Sequence, residues 1–255
     1  MGGGRVGMST VTAGVQDKVI HGDCLEIMPT LPEKSIDMIL CDLPYGTTQC
    51  KWDMVIPLEP LWLQYKRIIK DNGVIALFGV EPFSSLLRIS NIDKYKYDWY
   101  WNKTRKTGFL NAKKQPLRMV ETVSIFYDKQ CQYNPQMKKV KDRFVSRSGE
   151  YGGYGKHYAL SSGNNGLEYP FNSLCFQSIS HPVHPTQKPS ALFEYLIRTY
   201  TNEGENILDN CAGSGTTAIA CLNTNRNYIL IEKEREYIDI INKRISEHEL
   251  QVTLC

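Results

Sequence analysis

The sequence predicts an α/β fold, a mostly parallel sheet covered by helices on both faces. Three observations lead there. Short runs of apolar, β-rich residues at 36–40, 74–78 and 228–231 have almost no polar alternation, as strands buried on both sides require. Segments with apolar residues at helical spacing lie between them. The first run leads into Asp42-Leu43-Pro44-Tyr45-Gly46, whose proline and glycine stop regular structure.

The elements follow in order. Residues 1–16 have no period and are read as a flexible tail outside the fold. Val19 and Ile20 form a short strand ending at Gly22-Asp23, and Cys24, Leu25, Met28 and Leu31 follow at apolar spacing. The strand at 36–40 runs into Asp42-Leu43-Pro44-Tyr45-Gly46, where proline and glycine end it. Residues 58–69 are helical, Asn72-Gly73 break the helix, and 74–78 is the next buried strand. A helix is expected at 84–89. The period then changes to two: Tyr95, Tyr97, Trp99 and Trp101 alternate with other residues, and 120–127 is β-rich, so the two segments pair as an antiparallel hairpin. No period survives from 128 to 181, where Gly, Ser, Asn and Tyr dominate residues 146–166. So long an irregular stretch in a compact domain reads as an inserted recognition region. The chain closes with a helix at 189–200, a strand at 206–208, a helix at 215–222, a strand at 228–231 and a helix at 234–245.

Composition bounds the function. With 255 residues, 42% hydrophobic and 22% charged, the chain builds one full core and is neither disordered nor collagen-like. Its apolar runs fall far short of the ~20 residues that span a bilayer, and no signal-peptide stretch opens it, so a cytoplasmic protein without membrane contact is expected. Eight scattered cysteines with no C-x-x-C pair fit free thiols, and no metal site is expected. The net charge of +3 is unevenly placed: residues 94–147 hold 14 Lys and Arg against 4 acids. This block is interleaved with Tyr95, Tyr97, Trp99, Trp101, Phe109, Tyr133 and Phe144, cations and π-faces of the kind a polyanion needs. A solvated basic face is the other reading.

Two strand ends carry the chemistry. Asp209-Asn210-Cys211-Ala212-Gly213-Ser214-Gly215-Thr216 lies between a strand and a helix, with glycines that allow close backbone approach and a helix start that presents free N–H groups. It is not a P-loop, and the third glycine of the dinucleotide fingerprint is replaced by Ala218, an allowed variant that leaves a nicotinamide cofactor open here. Glu232, just past the next strand, stands where an acid accepts hydrogen bonds from ribose hydroxyls. Asp42-Leu43-Pro44-Tyr45, also at a strand end, offers a carboxylate, a carbonyl and a ring to a flat base, or forms a turn and nothing more. The five histidines read as structural or solvated rather than as bases.

These motifs resemble those of the β-class DNA amino-methyltransferases. Asp42-Leu43-Pro44-Tyr45 is similar to the Asp-Pro-Pro-Tyr catalytic motif, Asp209 to Thr216 to the Asp-Pro-Phe-x-Gly-x-Gly-Thr cofactor motif, and His184-Pro185-Thr186-Gln187-Lys188-Pro189 to His-Pro-Thr-x-Lys-Pro. Gly22-Asp23-Cys24, Trp101-Asn102-Lys103 and Glu232 fall where members carry similar residues. Leu43 replaces the first proline, leaving the carbonyl in place. Asn210-Cys211 replaces Pro-Phe and removes an aromatic wall near the cofactor.

The resemblance implies a permuted Rossmann-like methyltransferase fold with three parts: a catalytic half at 17–128, a target-recognition region at 129–181 and a cofactor half at 182–250. Strand 206–208 is then central, with 228–231 and 18–21 on one side and 36–41 and 74–78 on the other. S-adenosylmethionine is the implied cofactor. Glu232 would take its ribose, Asp23 its adenine, Asp209 and the 212–215 backbone (Ala212, Gly213, Ser214, Gly215) its methionine, and Thr186 and Lys188 its carboxylate, with Cys24 and Thr216 also among the cofactor-binding residues.

The implied reaction moves a methyl group to the N6 amine of adenine in DNA, with cytosine N4 as the alternative. Asp42 and the Leu43 carbonyl would accept the amine hydrogens, Pro44 would shape the turn and Tyr45 would stack on the flipped base. Lys113, Lys114, Lys138, Lys139 and Arg143 are the expected phosphate contacts. A cognate restriction endonuclease and a homodimer come with the resemblance as further partners, neither assigned by the sequence. An RNA- or protein-modifying enzyme and a non-catalytic nucleic-acid-binding module are the competing classes. Against the binding module, Asp42, Tyr45 and the glycine turn are all intact.

Overall fold

The computed structural model describes residues 17–47, 50, 53–140, 149–150, 156–157, 166–179 and 187–253. The expected tail, Arg143 and Thr186 lie outside them. In chain order the elements are β1 (Lys18–His21), α1 (Cys24–Ile27), β2 (Ile36–Cys41), α2 (Leu58–Ile68), β3 (Ile69–Gly79), α3 (Phe83–Ser90), β4 (Tyr95–Thr107) and β5 (Arg118–Phe126). Four two-residue strands follow: β6 (Lys138–Lys139), β7 (Gly149–Glu150), β8 (Lys156–His157) and β9 (Leu167–Glu168). Then come β10 (Ser173–Phe176), α4 (Ser190–Tyr200), β11 (Asn206–Asp209), α5 (Thr216–Leu222), β12 (Asn227–Glu232) and α6 (Arg235–Thr253).

Eight strands form one sheet in the order β1-β12-β11-β2-β3-β5-β4-β10. From β1 to β3 every pairing is parallel, and β5 is antiparallel to both β3 and β4. The expected order of the parallel strands and the expected hairpin are both present. Side chains alternate across each strand, so Met38 and Leu40 of β2 face one core while Ile39 and Cys41 face the other. The first core packs on α4, α5 and α6 through Leu196, Ala218 and Ile241, and the second on α2 and α3 through Leu61, Tyr65 and Leu87. The strand order reverses between β11 and β2, since β12 lies on one side of this parallel pair and β3 on the other. No helix among the described residues is long and apolar enough to cross a membrane.

Three features differ from the expectation. Strand β3 follows α2 directly, and the Asn72-Gly73 break falls inside it: Ile36 pairs with Ile69 but Met38 with Val74, so the chain bulges between. A Cβ on Gly73 would lie 2.9 Å from the Asp37 carbonyl oxygen, which is why glycine stands there. Within the irregular region β10 joins the main sheet beside β4. It has four residues, of which Leu174 is buried, too few for a period of two to be read.

The third difference is a correction. The alternating aromatics of β4 do not face a polyanion: Trp99 and Trp101 are each 3% exposed, and Tyr97 packs against the same core. The Tyr200 hydroxyl of α4 fixes them, accepting from Trp99 Nε1 at 2.6 Å and lying 2.9 Å from the Tyr97 hydroxyl. Some of the basic block is also neutralised. Lys94 pairs with Asp128, Lys129 with Asp71 at 3.2 Å, and Lys103 with Glu121 at 2.8 Å.

What remains of that block is an arm. Because β4 runs parallel to β3, its C-terminal half leaves the sheet on the edge where β2 and β11 end. Residues 104–107 and 118–120 are exposed on both faces. Between Lys103 and Glu121 there is no acid, and Arg105, Lys106, Lys113, Lys114 and Arg118 make no ion pair among the described residues. At the tip Leu110 is fully exposed and Phe109 64% exposed.

Candidate active site

Asp23 follows β1, Asp42 follows β2, Asp209 ends β11 and Glu232 ends β12. These strands are parallel neighbours, so their carboxyl ends collect four carboxyl groups at one edge of the sheet. A cavity of about 320 Å³ lies there, lined by all four acids.

One end of the cavity is built by the turn after β11. Gly213 and Gly215 have φ of +51° and +76°, and a Cβ on Gly215 would come within 2.9 Å of Ile241 in α6. Glu232 shapes the turn, accepting from Gly213 N at 2.7 Å and from Glu234 N at 2.8 Å. Burial raises its pKa against those N–H groups. Ser214 is held by Arg244, which reaches its Oγ at 3.1 Å. Asp209 is 3% exposed, and burial pushes its carboxyl up to about 6 against the opposing Thr217 hydroxyl and Cys211 N–H. Asp23 caps α1 by accepting from Leu25 N at 2.9 Å and pairs with Lys233 at 3.1 Å. Burial works against its charge, yet these two partners hold it below the usual carboxylate range.

Of the expected cofactor residues, Ala212, Gly213, Ser214 and Thr216 also line this cavity, as do Cys24 and Lys188. Gly215 stands behind it against α6. The two departures from the family pattern have local partners. Asn210 Oδ1 accepts from the buried Tyr65 hydroxyl at 2.6 Å, and Cys211 meets Cys24 and Cys41 beside the cavity. The contact with Cys211, and then burial, raise the Cys24 thiol, burial pushes Cys41 up to about 12, and all three stay protonated.

The other end holds the tetrapeptide. Asp42, Leu43, Pro44 and Tyr45 all line the same cavity. The Tyr45 hydroxyl donates to Asp42 Oδ1, and its ring lies 5.2 Å from that of Phe83. Among the described residues nothing donates to the Leu43 carbonyl. Asp53, missed in the sequence, fixes this loop: its carboxylate accepts from the backbone N–H groups of Tyr45 at 2.8 Å, Gly46 at 2.9 Å and Thr47 at 2.9 Å. A lone Asp eight residues past the motif has no pattern by which to find it.

Lys188 bridges the two ends: its backbone carbonyl accepts from Thr216 Oγ1 at 3.4 Å, while its ammonium lies on Asp42 Oδ2 and 3.4 Å from Glu121 Oε2. Two buried carboxylates draw the ammonium there, and the Phe78 and Tyr45 rings flank it at 5.4 and 6.0 Å. Burial lowers its pKa, but Asp42 and Glu121 outweigh burial and raise it. For Asp42 burial prevails over Lys188 and the pKa rises; for Glu121 the two lysines prevail over burial and it falls. Of the expected phosphate contacts, Lys113 and Lys114 lie at the arm tip and Lys138 and Lys139 in β6, all exposed.

Fold and site together define a Rossmann-like α/β protein with its cavity at the sheet's switch point. Residues 36–243 match the family described as DNA methylase, and the chain belongs to that N6/N4 family. It is 26% identical over 247 residues to the Type II methyltransferase M.HpaI of Haemophilus parainfluenzae, covering 91% of this chain and 74% of that protein. To the Type II methyltransferase M.HinfI of Haemophilus influenzae it is 27% identical over 266 residues, covering 90% and 68%. Among solved structures, the M1.HpyAVI-SAM complex superposes with a TM-score of 0.59 at 25% identity, covering 89% of this chain and 98% of that one. The cytosine-N4-specific PvuII DNA methyltransferase shares the fold, with a TM-score of 0.64 at 18% identity over 90% of this chain and 86% of that one.

Two outcomes follow from these contacts. Asp53→Ala leaves three backbone N–H groups without their acceptor and is expected to destabilise by about 2–3 kcal/mol, read as a fall in the denaturant midpoint. Asp209 has a raised pKa, so its contribution is most favourable below about 4 and is lost as pH rises through about 6. Asp209→Asn removes that dependence. Urea melts should find the variant, relative to wild type, more stable at pH 7 than at pH 4 by about 2 kcal/mol.

Proposed function

We propose that this protein transfers a methyl group from S-adenosylmethionine to the exocyclic N6 amine of adenine in DNA. The observation that carries the reading is that Asp42-Leu43-Pro44-Tyr45 and the Asp209–Glu232 end line one cavity at the switch point. The donor set fits the cofactor. Glu232 offers carboxylate lone pairs to ribose hydroxyls, Asp23 stands beyond it at the adenine end, and Asp209 with the glycine turn receives the methionine portion. When bound, S-adenosylmethionine supplies a methyl group on a positively charged sulfur.

The remaining work falls to the chain. An adenine amine is a weak nucleophile because its lone pair is delocalised into the ring. Accepting its two hydrogens at the Asp42 carboxylate and the unpartnered Leu43 carbonyl localises that pair and aims it along the cavity. Asp42 would take the proton that the amine sheds once it carries the methyl group. Burial raises the Asp42 pKa and suits it to that step. Tyr45, braced by Phe83 and by Asp53 on its backbone, offers its ring to the flipped base. The acid-free arm, on the same edge of the sheet, meets the phosphates.

Adenine is preferred over cytosine because an aspartate opens the tetrapeptide, as in the adenine-modifying members that the sequence resembles. Incubation with duplex DNA and S-adenosylmethionine, digestion to nucleosides and mass spectrometry should give N6-methyladenine. Sole formation of 4-methylcytosine would reverse the base assignment. Asp42→Ala should lower kcat by at least about 10²-fold with cofactor affinity by calorimetry unchanged. DNA affinity should fall steeply with salt, and removing the Lys113 and Lys114 charges should flatten the log–log slope by about 0.9 for each phosphate they neutralise. An unmoved slope would take the arm out of the interface.

A further inference from the structure

Both acceptor oxygens of Asp42 are occupied, Oδ1 by the Tyr45 hydroxyl and Oδ2 by the Lys188 ammonium. Each oxygen keeps a second lone pair, but with an ammonium on it Oδ2 is a weaker acceptor for an amine hydrogen than it would be alone. Tyr45 is tied through its backbone to Asp53, so Lys188 is the donor with somewhere to go. Beside it lies Glu121, a residue the sequence did not single out, with its side chain 12% exposed. Glu121 Oε1 accepts from Lys103 Nζ at 2.8 Å. Its Oε2 is buried, and among the described residues its one partner is Lys188 Nζ, an ion-pair contact at 3.4 Å that is longer than a good hydrogen bond. A buried carboxylate oxygen without a good hydrogen bond carries a desolvation cost, so its presence calls for a reason.

We infer that Glu121 Oε2 is the second seat of Lys188. The ammonium moves from Asp42 onto Glu121 when the target amine arrives, freeing Asp42 Oδ2 to accept from the base. A shift of about half an ångström turns the 3.4 Å approach into a charge-assisted hydrogen bond. The move changes no net charge, since two lysines and two carboxylates stay together, and the Phe78 and Tyr45 rings flank the ammonium. Lys103 holds Glu121 ionised and aimed while the other oxygen waits. Glu121 is thus a positioning residue that acts through Lys188 and does not itself touch the base. This assignment rests on the methyl-transfer reading above.

The test is steady-state kinetics of Glu121→Gln against wild type, with melting temperature and calorimetric cofactor affinity measured alongside. Glutamine keeps the volume and an acceptor for Lys103, but no longer offers Lys188 a charged seat. The expected result is a kcat lower by about 10–100-fold, with KM for DNA and for S-adenosylmethionine within about twofold and melting unchanged. Glu121→Asp keeps the charge and draws the acceptor back by one methylene. It should lose several-fold in kcat, and it serves alone if the glutamine variant does not fold. A kcat within twofold of wild type in both variants overturns the assignment. So does a loss that falls equally on melting temperature and KM, which marks a purely structural residue. A wild-type protein that methylates no DNA overturns the methyl-transfer reading itself, and this assignment with it.

Discussion

The contact between Asp42 and Lys188 spans 146 residues and is the constraint around which the site is arranged. One partner follows β2, and the other lies just before α4, the helix that precedes β11. Burying an ammonium and a carboxylate together is rarely a net gain in stability, because the desolvation cost of two charges offsets their attraction. What such a pair gives is uniqueness of arrangement: any other packing of the two segments strands a charge in the core. The ladder between β11 and β2 is the backbone counterpart of that contact, and Asp37 adds to it, accepting from Asn206 N at 3.0 Å and pairing with Lys70 at 2.7 Å.

The parallel half of the fold was legible because strands buried on both faces leave a strong trace. Runs such as Ile-Asp-Met-Ile-Leu and Val-Ile-Ala-Leu-Phe have almost no polar alternation, and the family resemblance supplied their order across the sheet. Tertiary context settled the rest. Strand β10 has one buried residue and takes its conformation from β4. The aromatics of β4 carried two compatible readings, a π-rich surface and one face of a buried strand, and the Tyr200 hydroxyl at a distance of about 100 residues decided for the second. The same holds at the site. The four strand-end acids could be found because a carboxyl group after a buried strand is conspicuous, whereas Asp53 and Glu121 act by reaching back to residues that no local spacing links to them.

The two departures from the family pattern show how the cofactor end tolerates change. A proline and an aromatic residue are replaced by Asn210 and Cys211, and each replacement has found a partner already in the core: the Tyr65 hydroxyl for the amide, Cys24 and Cys41 for the thiol. Desolvation keeps those thiols protonated, so the floor of the cavity is soft and uncharged between Asp23 and Asp209. Small polarizable groups there exchange a stacking surface for room.

The pairing of β1 with β12 bears on how the molecule comes into being. Lys18 lies opposite Ile229, and Gly22 N donates to the Glu232 carbonyl at 2.9 Å, so β1 must wait for β12, made about 200 residues later. On a ribosome adding roughly 5–20 residues per second, the early strands spend many seconds without the neighbours that complete their side of the sheet. β2 and β3 can pair early, but the edge of β2 that belongs to β11 stays open until the C-terminal segment emerges. The nascent chain therefore carries the open apolar edge of β2 until β11 emerges, and the cavity at the switch point exists only once β12 has been made.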